Sequence, residues 1–149
     1  MAISSRLKQL VGKTTKPVIF EVEKGQIRRF AMAIGEERPI HRDEQAAIAA
    51  GFRSLVAPPT FPCVFDASAE LYELLGLDAQ ATMHAEEEYE YFRTMVAGDV
   101  LSVTHRIADV YDKPAQNGRL VFAVIETRAN DQRARPVYKG RRVLVELKK

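Results

Sequence analysis

With 149 residues, 46% of them hydrophobic and 28% charged, the chain is long enough for one domain with a core of its own. Its 22 basic and 20 acidic residues are spread along the chain and leave a formal charge of +2, which excludes the electrostatic footprint of a nucleic-acid binder. One cysteine excludes an internal disulfide framework and suits a reducing cytoplasm, and neither the N-terminal run "MAISSRLKQLVGKTTK" nor any later one has the apolar length of a signal peptide or a membrane span.

The first ordered pattern is "PVIFEV" (17–22), where Val18, Phe20 and Val22 alternate as in a half-buried strand. From Gly25 the period changes. Ile27, Phe30, Ala31 and Ile34 fall on one helical face, and Gly35 stands where a helix end needs a left-handed residue. Asp43 is placed to cap a short Ala-rich helix, "EQAAIAA", that stops at Gly51. In "LVAPPTF" (55–61) Pro58 and Pro59 forbid helix, and Thr60 is a candidate N-cap. A buried helix is expected over about 61–75, with Pro62 in its first turn, Phe61, Val64, Phe65, Leu71, Leu74 and Leu75 as its apolar surface, and Gly76 at its end.

The second half reads as four long strands, at 83–95, 100–111, 119–130 and 136–148, separated by the turn segments "AGD", "DKPAQNG" and "DQRAR". In the second of these strands Leu101, Val103, Ile107 and Tyr111 share a face, whereas "LVFAVI" in the third is apolar on both faces and reads as central. The fold class expected is α+β, a curved antiparallel sheet wrapped around the helix at about 61–75.

Between the two apolar patterns lies "AIGEERPIH" (33–41). The run Gly35-Glu36-Glu37-Arg38-Pro39-Ile40-His41, followed by "RDEQAAIAAGF", resembles the hydratase signature Gly-Asp-x-Asn-Pro-(Leu/Ile/Val)-His of the MaoC-like dehydratases. The resemblance continues through "LVAPPTF", "HAEEEYEYFR" and "AGDVLSV", over roughly residues 10–147, and is nearest to the N-terminal-type branch. It implies a single hot-dog domain over 1–149. It also implies a hydro-lyase of the (3R)-hydroxyacyl thioester dehydratase or (R)-specific enoyl thioester hydratase type, with no cofactor beyond the CoA or phosphopantetheine carried by the substrate. The branch supplies the substrate-holding half of double hot-dog and heterodimeric enzymes, so the partners implied are an acyl thioester and a second hot-dog subunit, identical or not, with neither nucleic acid nor membrane. The implied location is the cytoplasm.

Hydrating a 2-enoyl thioester needs water delivered to Cβ, a proton delivered to Cα and donors for the enolate-like oxygen. A carboxylate and an imidazole gripping one water meet the first two needs, and backbone N–H groups at a buried helix N-terminus meet the third. The resemblance assigns the acid/base pair to Glu36 and His41, whose five-residue separation matches the signature. Glu36 is one methylene longer than the signature Asp, and a displacement of about an angstrom can cost ~100-fold in rate. Arg38, in place of the signature Asn, either orients Glu36, grips a phosphate of the thioester carrier or faces solvent. Pro59, Thr60 and Phe61 fall at the oxyanion position, and Cys63 falls where related enzymes place a Ser against the Asp. Pro58 and Pro59 have no N–H to donate, so Thr60 or Phe61 would have to replace them. His84 and His105 fall in expected strands and read as structural, and no His, Cys, Asp or Glu grouping has metal-ligand spacing. Two readings stay open: a catalytic dehydratase subunit, and a non-catalytic acyl-binding partner that completes another subunit's site.

Overall fold

The structure, a computed structural model, describes residues 3–65 and 68–149. Five strands, β1 (Val18–Glu21), β2 (Thr82–Tyr91), β3 (Val100–Ala115), β4 (Gly118–Asn130) and β5 (Pro136–Lys148), form one antiparallel sheet in the order β1-β3-β4-β5-β2. The doubly apolar strand β4 is its middle member, as its sequence requires. In β3 the alternation holds for Leu101, Val103 and Ile107, all buried, and then a bulge between Ile107 and Asp109 shifts the register. Beyond it Val110 faces the core and Tyr111 is only half-buried, so the expected single face ends at Ile107.

The helices are α1 (Ile3–Lys8), α2 (Lys24–Ala33), α3 (Glu44–Ala49) and α4 (Ser68–Leu75). On α2, Ile27 and Ala31 are buried and Phe30 packs against the same core. Ile34 falls just past the helix and is exposed. Asp43 caps α3 as expected: its Oδ1 accepts the N–H groups of Gln45 and Ala46, a contribution of about 1 kcal/mol in such caps.

The helix expected over 61–75 is shorter. Phe61–Val64 form a 3-10 turn, Asp66 and Ala67 lie outside the described residues, and the α-helix is Ser68–Leu75. Prolines at 58, 59 and 62 explain the delay. They remove three donors, and the remaining N–H groups close short i→i−3 bonds: Phe61 to the Pro58 carbonyl, Cys63 to Thr60 and Phe65 to Pro62. Thr60 stands at the start of this turn, but its side chain makes no capping bond.

Two apolar clusters result. Leu71 and Leu75 of α4 pack with Leu7 on Ile107 and Val110 of β3, Val121, Ala123 and Ile125 of β4, and Leu144 of β5. Each such leucine contributes about 1.5–3 kcal/mol by its burial. The other cluster gathers Phe61 and Phe65 of the 3-10 turn with Ile27, Leu55, Met95, Leu101 and Tyr138. Its aromatic rings interlock: Phe20 lies 4.0 Å from Phe65, and Phe61 meets Phe65 edge-on at 5.4 Å. This second cluster is the floor on which the candidate site stands.

Candidate active site

The loop from α2 to α3 is fixed at both ends. At its start Gly35 adopts φ +69°, a conformation that needs no strain only in glycine. Its N–H bonds the Met32 carbonyl while the Glu36 N–H bonds Ala31, the double closure that ends a helix and turns the chain. At its other end Pro39–His41 form a 3-10 turn, and the Ile40 carbonyl accepts the N–H of Val56. Val56 belongs to a short extended segment paired with residues 95–97, through a Val56–Val96 bridge and the bonds Ala57 N–H to Met95 and Ala97 N–H to Leu55.

That pairing decides the state of His41. Its ring is 2% exposed, and its Nδ1 lies 2.6 Å from the Val56 carbonyl oxygen. A carbonyl can only accept, so Nδ1 carries a hydrogen. Nε2 is buried and has no hydrogen-bond partner. His41 lines an open groove of about 300 Å³ together with Arg38, Ile40, Phe52, Val56, Ala57, Pro59, Tyr91, Thr94 and Met95. The wall is mostly apolar, with an imidazole and a guanidinium among few polar groups.

Glu36 is bound differently. Its Oε1 accepts the Arg38 backbone N–H at 3.0 Å and Nε at 3.1 Å, and its Oε2 accepts Nη2 at 2.8 Å. Hydrogen bonds from the Arg38 side chain, then from its backbone, lower the Glu36 carboxyl from 4.5 to about 2. The carboxylate is therefore ionised and engaged, and it is not among the groove's lining residues, whereas Arg38 is. Arg38 pairs with Glu36, and its side chain is at the same time 61% exposed and part of the groove's lining.

The structure brings Arg38, His41 and Pro59 to one groove. Thr60, Phe61 and Cys63 are not among its lining residues. Thr60 is exposed, and Phe61 is fully buried in the aromatic cluster with its N–H bonded to the Pro58 carbonyl. Cys63 is half-buried; burial pushes its thiol up, and the nearby Glu87 carboxylate adds to the effect. The helix entrance thus holds two prolines without N–H groups, a Phe61 N–H already engaged, and the N–H of Thr60, a residue outside the groove's lining.

Sequence reading missed Tyr91, whose hydroxyl donates to the Pro59 carbonyl at 2.7 Å and ties β2 to the helix entrance. Nothing local in the sequence marks which strand-end aromatic meets a loop 32 residues away. Phe52, Thr94 and Met95 were likewise invisible until residues 55–57 and 95–97 paired. His84 is largely exposed beside Glu87 at 3.3 Å, and His105 is buried with Nδ1 2.8 Å from the Thr127 hydroxyl. Among the described residues no group of three or more His, Cys, Asp or Glu could hold a metal ion, and no helix is long and apolar enough to cross a membrane.

Residues 9–139 match the family described as "FAS1-like, dehydratase domain region". A protein of Saccharopolyspora erythraea, named UPF0336 protein, is 34% identical over 122 residues, which are 78% of each chain. The HadBC (3R-hydroxyacyl-ACP dehydratase) complex from Mycobacterium tuberculosis contains a chain that superposes with a TM-score of 0.77 at 23% identity, over 91% of this chain and 96% of that one. The R-hydratase PhaJ1 from Pseudomonas aeruginosa superposes with a TM-score of 0.68 at 19% identity, over 93% of this chain and 83% of that one. The fold is thus the hot-dog fold of the MaoC-like dehydratases and hydratases. With the family match spanning most of its length, the chain belongs to the FAS1-like dehydratase-region family.

Proposed function

We propose that this chain is the acyl-binding subunit of a (3R)-hydroxyacyl thioester dehydratase, working in the cytoplasm beside a second hot-dog chain that supplies the oxyanion donor and a free carboxylate. The observation that carries the reading is the helix entrance. Pro58 and Pro59 have no N–H, the Phe61 N–H is spent on the Pro58 carbonyl, and Thr60, which carries the remaining N–H at the entrance, is not among the groove's lining residues. An enolate-like transition state at this chain's own groove loses the backbone donation that is worth about 3–4 kcal/mol, or ~10²–10³ in rate, in acyl-transfer sites. The carboxylate at position 36 is held by Arg38 and is not among the groove's lining residues. What the chain retains is an apolar groove of a size suited to an acyl chain. The HadBC neighbour is itself a complex of hot-dog chains, which supports a paired arrangement here.

One observation favours a second reading, a subunit catalytic by itself: His41 lines the groove and its buried Nε2 has no partner within the chain, the arrangement from which a general base would act. The experiment that separates the readings follows hydration of a short 2-enoyl-CoA by the purified chain, alone and with a second hot-dog chain bearing an Asp/His pair and a glycine at its helix entrance. Turnover only in the mixture supports the acyl-binding role. Robust turnover by the chain alone, lost ~10²–10⁴-fold in His41→Ala, supports the second reading.

A further inference from the structure

The apolar groove ends at one side chain, Tyr91. Two of its walls are short antiparallel segments, joined where the Ala57 N–H bonds the Met95 carbonyl. Past this bond one wall runs on to Pro59 and the other back to Tyr91. There they meet: the Tyr91 hydroxyl donates to the Pro59 carbonyl at 2.7 Å, and both residues line the groove. Burial pushes the Tyr91 phenol above its usual range, so the hydroxyl keeps its proton and stays a donor. The ring is held by its neighbours as well, with centroids 6.4 Å from Tyr89 and 5.8 Å from the buried Tyr138.

Beyond that ring there is little room. Tyr89 and Tyr138 line a second pocket whose free volume is about 10 Å³, space for a single water. Gly140 lines it too, and a Cβ there would come within 3.3 Å of the Tyr89 ring. The groove itself offers about 300 Å³. A cavity of about 150 Å³ holds one benzene, so a space twice as large takes roughly a dozen heavy atoms, a thioester with an acyl chain of about eight carbons.

We propose that Tyr91 sets the length of acyl chain this groove accepts: chains of up to about eight carbons end against its ring, and longer ones are turned away. The inference rests on the acyl-binding reading of the groove and names its substrate class, medium-chain acyl thioesters. A tyrosine that only supported the fold would, once truncated, weaken all chain lengths alike. One that ends the groove decides which length binds best.

The test measures binding of butanoyl-, octanoyl- and dodecanoyl-CoA to the full chain by calorimetry, below their micellar concentrations. Each buried methylene is worth up to about fourfold in affinity. The unaltered chain is therefore expected to gain at least about 10-fold from butanoyl to octanoyl and nothing from octanoyl to dodecanoyl. In Tyr91→Ala, dodecanoyl-CoA is expected to bind about 10-fold more tightly than octanoyl-CoA. Tyr91→Leu leaves a smaller void, keeps the test open should the alanine variant fail to fold, and is expected to shift the preference the same way. An unaltered chain that gains a further ~10-fold from octanoyl to dodecanoyl overturns the proposal while the acyl-binding reading stands. So does a Tyr91→Leu variant whose affinities for the three ligands keep the unaltered ratios. Equal affinity of the unaltered chain for all three overturns the acyl-binding reading and the proposal with it.

Discussion

The loop at 35–41 and the helix entrance at 57–61 face the same groove, and they differ in what they leave available. The loop ends in a buried imidazole whose Nδ1 is tied to Val56 and whose Nε2 is buried without a hydrogen-bond partner. The entrance ends in two prolines and an N–H already bonded to a carbonyl. On the proposed reading, His41 would be a base with no oxyanion donor beside it, half of what a hydratase needs. The comparison teaches that a histidine at the signature position is one requirement of such a site and a donor at the helix entrance another, because the transition state needs its negative charge stabilised as well as its proton moved.

The strongest way to break this contrast is to rebuild the missing half. Pro58→Gly restores a donor, and Arg38→Asn releases Glu36 from its ion pair. The double variant is expected to raise enoyl-thioester hydration by the lone chain about 10-fold or more, measured by loss of enoyl absorbance; an unchanged rate would show that the entrance is not what limits it. A smaller effect is expected from filling the groove. Thr94 lines it and is exposed, so Thr94→Trp should keep the fold and weaken binding of a medium-chain acyl thioester about 10-fold by calorimetry. Undiminished affinity would move the acyl chain elsewhere.

Smaller still is the effect of Glu36→Gln in the mixture with a competent partner. A carboxylate already neutralised by Arg38 should cost less than about threefold in kcat when its charge is removed, and a loss of ~100-fold would return Glu36 to the acid/base role.

The last expectation concerns acid stability. Glu36 sits at about 2 because of Arg38. Burial raises Asp131, but hydrogen bonds from Arg135 and from the backbone of residues 133 and 135 outweigh it and bring it also to about 2. Both folded-state values lie below the usual 4.5 and 3.8, so the stability that they contribute is present above about pH 4.5 and lost as pH falls toward 2. The melting temperature should decline across that window, and more shallowly in Asp131→Asn; an identical acid slope would remove Asp131 from the account.

Much of the fold was legible because it follows from local pattern. The period-2 alternation of β3 as far as Ile107, the doubly apolar run of β4, the Asp43 cap and the Gly35 stop each follow from neighbouring residues. The helix near 61–75 was only partly so: three prolines within five positions act together, and their joint effect is a 3-10 turn rather than a delayed first helical turn. For the site, the spacing of Glu36 and His41 pointed to the right loop, but whether Arg38 would grip Glu36 or face the groove is a rotamer choice that spacing does not encode. The ion-pair network around Arg93 was hidden for another reason. "AGD" and "DQRAR" read as ordinary turns, and only the pairing of the sheet brings Asp99 and Asp131 close enough to share Arg93.

The most direct test of the central claim is the rate at which the unmodified chain hydrates a short 2-enoyl thioester, alone and with a second hot-dog chain that has an Asp/His pair and a glycine at its helix entrance. The account predicts that the lone chain is slower by at least about 100-fold, the usual cost of one missing oxyanion donor. Equal rates with and without the partner would contradict it.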